Sequence, residues 1–365
     1  MTESTLPANE WLAFLQQQNA PSAGGGAHKD FVSPLTNLGL LAFSGEEAAS
    51  FLHNQLTNDV EHLGTGEVRL AGYCSAKGRL LATMLIWKHA NAIILMLPRP
   101  LLPSIQKRLQ MFILRAKVKV QDVSGQQAIL GLAGDRAAAA LQTWFPELPA
   151  RPYAKIDNTS GSLMRLADGI DGINVIARYQ WIAANAIAIA AWPQLRTTLD
   201  AAGDAAWNLG DIQAGVPQIT AATQEKFVPQ MINFELIGGV NFKKGCYPGQ
   251  EIVARSQYLG KLKRRMMLAA IEGVSGDVAA AIQPGTEIFS SADPEQPCGA
   301  IVNAEIDGGG DSNDDIRIIC LTEIKLTAPE AGSVHAGSAT GPILHFHPLP
   351  YSLADSSANP TADSE

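Results

Sequence analysis

Apolar and polar positions along the chain keep changing rhythm, and each change marks an element. The apolar runs 38–43, 69–74, 80–88 and 92–97 are short and bounded by turn residues, which predicts strands. After Ser44-Gly45-Glu46-Glu47 the spacing of Ala48, Phe51, Leu52 and Leu56 is helical. Ser75-Ala76-Lys77-Gly78 supplies a turn between two strands, residues 100–111 suit a helix, and residues 117–122 alternate like an edge strand. A similar order follows: a strand at 128–132, an Ala-rich helix at 135–144 broken by the prolines of 146–152, and strands at 163–166 and 173–177 around Asp168-Gly169-Ile170-Asp171-Gly172. A helix at 193–201 completes it. Strands with interspersed helices predict an α+β class, and the two similar stretches suggest a duplicated half.

Residues 1–30 are expected to be a flexible N-terminal segment, with a short helix at 11–18 and the linker Pro21-Ser22-Ala23-Gly24-Gly25-Gly26-Ala27, which has almost nothing to bury. Residues 31–260 then form the main region, two α+β subdomains that can interleave. Beyond Tyr258 the pattern becomes short apolar runs at 266–271, 287–289, 299–303, 316–321 and from Ser333, separated by turns; this predicts a C-terminal β-barrel over 261–353. Residues 354–365, rich in Ser, Ala and Asp, are expected to be a disordered tail.

At 365 residues the chain has room for roughly two or three domains. With 46% hydrophobic and 17% charged residues it is globular, and its net charge of −8 argues against coating nucleic acid through bulk charge. Its longest apolar stretch, 182–192, is interrupted by Asn185 and falls short of the roughly 20 residues that span a membrane. Met1-Thr2-Glu3-Ser4-Thr5 has no signal-peptide character, and Cys74, Cys246, Cys298 and Cys320 form neither a disulfide framework nor a CxxC pair. A cytoplasmic, reduced protein is expected.

The candidate chemistry sits in Asn241-Phe-Lys-Lys-Gly-Cys-Tyr-Pro-Gly-Gln-Glu-Ile-Val-Ala-Arg255. Pro248 suits the first turn of a helix, which would put Cys246 just before its N-terminus with Lys243 and Lys244 nearby. Free backbone N–H groups, the helix dipole and two ammonium groups all favour a thiolate. A tight turn in which Cys246 fills a small apolar gap fits the same residues. Three other features have bland readings. Asp307-Gly-Gly-Gly-Asp-Ser-Asn-Asp-Asp315 lacks the spacing of an EF-hand and reads as a hairpin loop; Lys261-Leu-Lys-Arg-Arg265 reads as a solvated link, or as a contact for RNA or a polyglutamate tail. His345 and His347 share a strand face without a third ligand, so no metal site is expected.

Lys244-Gly-Cys-Tyr-x-Gly-Gln-Glu251 resembles the signature of the YgfZ family, folate-binding "tRNA-modifying" proteins related to the T-protein (aminomethyltransferase) of the glycine cleavage system. Further matching blocks are Gln55-Leu-Thr-Asn-Asp59, Cys74-Ser-Ala-Lys-Gly-Arg79, Trp207 with Ala214-Gly-Val-Pro217, and Leu344-His-Phe-His-Pro-Leu-Pro-Tyr-Ser-Leu353. The resemblance implies a T-protein-like three-domain ring with a central, folate-accessible hole and a C-terminal β-barrel. It implies tetrahydrofolate or a folate derivative as cofactor, and a role in making or repairing iron–sulfur enzymes, including those that methylthiolate tRNA. Partners would be those enzymes or assembly factors, with neither direct tRNA binding nor a membrane role expected.

On the family pattern, Cys246 is the reactive residue, held by Lys244, Tyr247, Gln250 and Glu251. Trp207 matches a folate tryptophan whose ring could stack on the pterin or benzoyl group, a second such tryptophan falls at Leu38, and the acid that reads the pterin in T-protein becomes Gln213. The Asp pair of T-protein falls at Ala82 and Thr83, so glycine-cleavage chemistry is not expected. Cys74 is an outside second ligand or a buried structural cysteine. The alternatives to an accessory role are a folate-dependent aminomethyl transferase and a non-catalytic docking scaffold.

Overall fold

The computed structural model describes residues 10–18, 29–171, 174–259, 262–309 and 315–353. The linker 21–27, residues 172–173, Lys261, residues 310–314 of the acidic loop and the tail 354–365 lie outside the described residues.

Two sheets share the first half of the chain. One has five strands in the order Val68–Cys74, Leu80–His89, Ala92–Pro98, Leu38–Ser44 and Lys119–Asp122. The other has six: Asp200–Ala201, Phe31–Pro34, Gln127–Ala133, Arg178–Ala184, Gly161–Arg165 and Lys155–Asn158. The chain passes from one sheet to the other between Phe31–Pro34 and Leu38–Ser44, so the two α+β units are interleaved. Strand Leu80–His89 is buried at its first eight positions, as a strand covered on both faces must be.

The apolar run 182–192 is divided between two elements. Its start completes the strand Arg178–Ala184, which pairs on both sides, and the rest forms the helix Asn185–Leu195. The helix expected at 193–201 therefore lies earlier. Burial of Ala188, Ala191, Trp192 and Leu195 sets its phase, and Pro193 loses a hydrogen bond only near its end. Trp11, on the helix Glu10–Gln17, meets Trp192 edge to face at 5.6 Å, so part of the N-terminal segment expected to be flexible is packed.

The C-terminal sheet runs Val334–Ala336, Glu287–Ser290, Asp293–Gly309, Ile316–Lys325, Arg264–Val274, His345–His347. Register shifts between Ile301 and Asn303 and between Ile306 and Gly309 bend its longest strand. The result is a curled half-barrel whose ends are joined by Leu344 N–H to Val334 O (2.8 Å) and Ala336 N–H to Pro342 O (2.9 Å).

This sheet is fastened to the rest by buried polar contacts. Arg265 pairs with Glu235, each side chain 3% exposed, and donates to Gln230 O at 2.9 Å. Asn233 donates to Met266 O (2.9 Å) and accepts from Met266 N–H (3.3 Å). Removing one partner of a buried pair strands the other charge, so Arg265→Met should cost about 3–5 kcal/mol in urea unfolding. The double variant Arg265→Met/Glu235→Leu should recover most of that loss. An unchanged midpoint in the single variant would show that the pair does not fasten the two parts.

Candidate functional site

Three stretches far apart in sequence meet at Lys244–Glu251. The Lys244 ammonium donates to the carbonyls of His53 and of Leu56 (2.9 Å), the orphan acceptors at and beyond the end of the helix Ala48–His53. Thr57 donates to Gly239 O (2.6 Å) and accepts from Gly72 N–H (2.7 Å), while Asn58 donates to Leu70 O and Gly238 O, both at 2.7 Å. From the other side, the turn after Cys74 closes on Gly249. With φ at +79°, a Cβ on Gly249 would stand 2.4 Å from Ser75 O, so only glycine fits. Gly249 caps the helix Gln250–Tyr258, which places Pro248 before the cap and not in the first turn. Gln250 and Glu251 open that helix.

The four cysteines divide sharply. Cys246 is exposed, whereas Cys74, Cys298 and Cys320 are buried. Burial pushes the Cys74 thiol up to about 12, which keeps it protonated and answers for its structural role. Burial also raises the Tyr247 hydroxyl, with the Cys74 charge adding to the shift, and this hydroxyl is enclosed without a hydrogen bond. Lys244, 4.8 Å above the Tyr247 ring, is brought down to about 8 by burial, against the opposing charges of Asp59, Cys246 and Glu61.

Leu38 and Trp207 come together on a cavity of about 70 Å³ that also touches Thr83, Tyr153, Gln180 and Asp211. Trp207 is buried, with the Arg178 guanidinium 4.1 Å from its ring centre. Its ring lies so close to Gly131 that a Cβ there would be 2.4 Å from Cε3. Its ring contacts are thus made within the protein, and it acts as a wall. Arg178 binds Asp211 at 2.8 Å; burial nevertheless raises the Asp211 carboxyl, the guanidinium opposing it. Gln213 does not line this cavity, and Asp211, two residues earlier on the helix Asp204–Gln213, does. Thr83 accepts from Ile219 N–H at 3.0 Å, so the hydroxyl at the T-protein carboxylate position is engaged by backbone.

Asp211, Val216 and Gln218 also line a larger cavity of about 430 Å³, which reaches Asn208, Asn303 and Glu305. That volume is within the ordinary range for small-molecule sites. A third cavity of about 340 Å³ is lined by Asp59, Arg69 and Asn241 and shares Leu70 and Tyr153 with the first. Cys246 lines none of the three; Asp59, which meets His53, and Asn241 line the third.

Sequence reasoning missed Arg178, Gln180 and Asp211. Asp211 was within reach, one turn of helix beyond Trp207, whereas Arg178 and Gln180 were hidden by the misplaced strand boundary at 177. In the basic run, Arg264 pairs with Glu323 (2.9 Å) and Arg265 with Glu235, so both guanidiniums are used internally. His345 and His347 are exposed on an edge strand. Among the described residues no group of three or more His, Cys, Asp or Glu is arranged to hold a metal ion, and no helix is long and apolar enough to cross a membrane.

The GCVT N-terminal domain family model matches residues 32–163. The chain is 32% identical over 236 residues to the tRNA-modifying protein YgfZ of Colwellia psychrerythraea, covering 65% of this chain and 70% of that one. It is 27% identical over 328 residues to the tRNA-modifying protein YgfZ of Cronobacter sakazakii, covering 88% and 93%. In structure it is similar to the glycine cleavage system aminomethyltransferase T of Bartonella henselae, with a TM-score of 0.68, 17% identity, and coverage of 92% and 89%.

Two measurements probe the site. Gly249→Ala should cost at least about 2 kcal/mol in urea unfolding, because it adds both strain and a backbone clash; a neutral effect would mean the turn and the helix do not press together. Lys244 loses its proton near pH 8 when folded and near 10.5 when unfolded, so between those values the unfolded chain binds more protons. The wild-type urea midpoint should therefore gain on that of Lys244→Met as pH rises from 8 to 10.5. A constant gap would contradict the burial of the ammonium.

Proposed function

The chain belongs to the YgfZ family, and we propose that it is a cytoplasmic, folate-binding accessory protein for the synthesis or repair of iron–sulfur enzymes, acting through them on tRNA methylthiolation. The observation that carries this reading is the exposed Cys246, presented on a loop held by two separate stretches, at His53–Leu56 and at Ser75–Gly78. One thiol cannot hold a stable cluster, which usually takes four ligands. It suits a transient persulfide, a mixed disulfide or a passing contact to a cluster iron. Ile252, Tyr258 and Leu259, exposed on and just beyond the following helix, offer a partner enzyme an apolar contact near the thiol.

The cavity residues fit a folate. Gln180 Oε1 and Asn37 Oδ1 are enclosed and unpartnered, and with Asp211 they supply acceptors for the N–H groups of a pterin. Asn208 donates to Glu305 at 2.8 Å, holding a further acceptor at the larger cavity. A reduced folate bound there would supply one-carbon chemistry; Asp211, Gln180 and Asn37 would bind and orient it. Thr83 and Ala82 provide no carboxylate to act as the base of an aminomethyl transfer.

Calorimetric titration with tetrahydrofolate should show saturable binding at one site, weakened about tenfold in Asp211→Asn. Absence of heat up to millimolar folate would remove the cofactor from the account. Folate-dependent turnover of an aminomethyl donor would replace it with the transferase reading.

A further inference from the structure

His53 ends the helix Ala48–His53 and is 7% exposed. Its Nδ1 lies 3.1 Å from Asp59 Oδ1. An ionised carboxylate only accepts, so Nδ1 carries a proton, and in the neutral ring the lone pair is on Nε2. That Nε2 faces Gly245: a Cβ built on the glycine would stand 3.5 Å from it. Cys246 is the next residue, and neighbouring Cα atoms are about 3.8 Å apart, so its backbone adjoins the glycine that the imidazole faces. The same loop is pinned to His53 by Lys244, whose ammonium binds the His53 carbonyl.

The Asp59 carboxylate is built to orient. Burial alone would raise its pKa, but the hydrogen bonds from the His62 backbone and ring lead the effects that outweigh this and hold it below the usual range. His62 Nδ1 takes the second carboxylate oxygen at 2.8 Å and is exposed, which gives the pair a contact with solvent. The other charged groups around this corner are Lys243, next to the loop, and Glu61, which acts on Lys244 together with Asp59 and Cys246. Exposed nucleophile, buried imidazole and orienting carboxylate are the parts an activated cysteine requires.

Resting on the reading of Cys246 as the working thiol, we propose that His53 accepts the Cys246 proton and that Asp59 is the positioning residue that fixes the tautomer and direction of the imidazole. In attack on an electrophile the S–H bond breaks, the proton passes to Nε2, the sulfur forms its new bond and the leaving group departs with its electron pair. The imidazolium then releases the proton to water.

The test is alkylation of Cys246 by iodoacetamide at pH 7 and pH 9, read by peptide mass spectrometry, with buried Cys74, Cys298 and Cys320 as internal controls. It compares wild type, His53→Gln, Asp59→Asn, and His53→Ala with and without added imidazole, each checked for folding by thermal melting. His53→Gln should slow the pH 7 reaction at least about tenfold and the pH 9 reaction much less. Asp59→Asn should fall between, and imidazole should restore part of the His53→Ala loss. A pH 7 rate in His53→Gln within about twofold of wild type, in a wild type that outpaces its own urea-unfolded Cys246, would overturn the assignment of His53 while leaving the thiol reading intact. A wild-type Cys246 no faster than in the unfolded chain would overturn both.

Discussion

The Lys244 ammonium set among the carbonyls of His53 and Leu56 is the contact on which the arrangement of the site depends. A helix end leaves carbonyls unpaired, and a cation there satisfies them while meeting the negative end of the dipole. Here the cation comes from a loop 188 or more residues later in the chain, so one short interaction fixes the Cys246 loop against the first sheet. Gly249, pressed into the turn after Cys74, does the same from the opposite side without a side chain. Between these two points the thiol stays exposed while the backbone carrying it is held.

Thiol and cavities are neighbours but not one pocket. Asp59 touches His53 on one side and a 340 Å³ cavity on the other, and that cavity shares Leu70 and Tyr153 with the one bounded by Trp207. Trp207 is engaged by Arg178 and Gly131, whereas Asp211 and the unpartnered Gln180 oxygen belong to residues that line the same cavity.

Much of this was legible in the sequence. Alternating and helical rhythms placed most strands of the five-stranded sheet within a residue or two, because turn residues such as Ser75–Gly78 punctuate them clearly. The octapeptide from Lys244 to Glu251 stood out as the candidate site from its residue types alone. The Ala-rich stretch near 182–192 defeated the pattern, since a central strand runs straight into a helix whose outer face is also apolar and Asn185 is the one polar residue at the boundary. Interleaving of the two halves was open in the sequence, but the pairings that make it, such as Phe31–Pro34 with Gln127–Ala133, leave no local signal. His53 was read only as part of a helix; its contact with Gly245 arises from residues nearly two hundred positions apart.

In the proposed function Cys246 supports tRNA methylthiolation indirectly, through iron–sulfur enzymes. The direct measurement is the amount of methylthiolated nucleoside in tRNA, read by mass spectrometry, in cells lacking this chain and supplied with wild type or with Cys246→Ser at equal level. The account predicts that wild type restores the modification and the serine variant does not. Full restoration by Cys246→Ser would contradict it and leave a scaffold in place of a working cysteine.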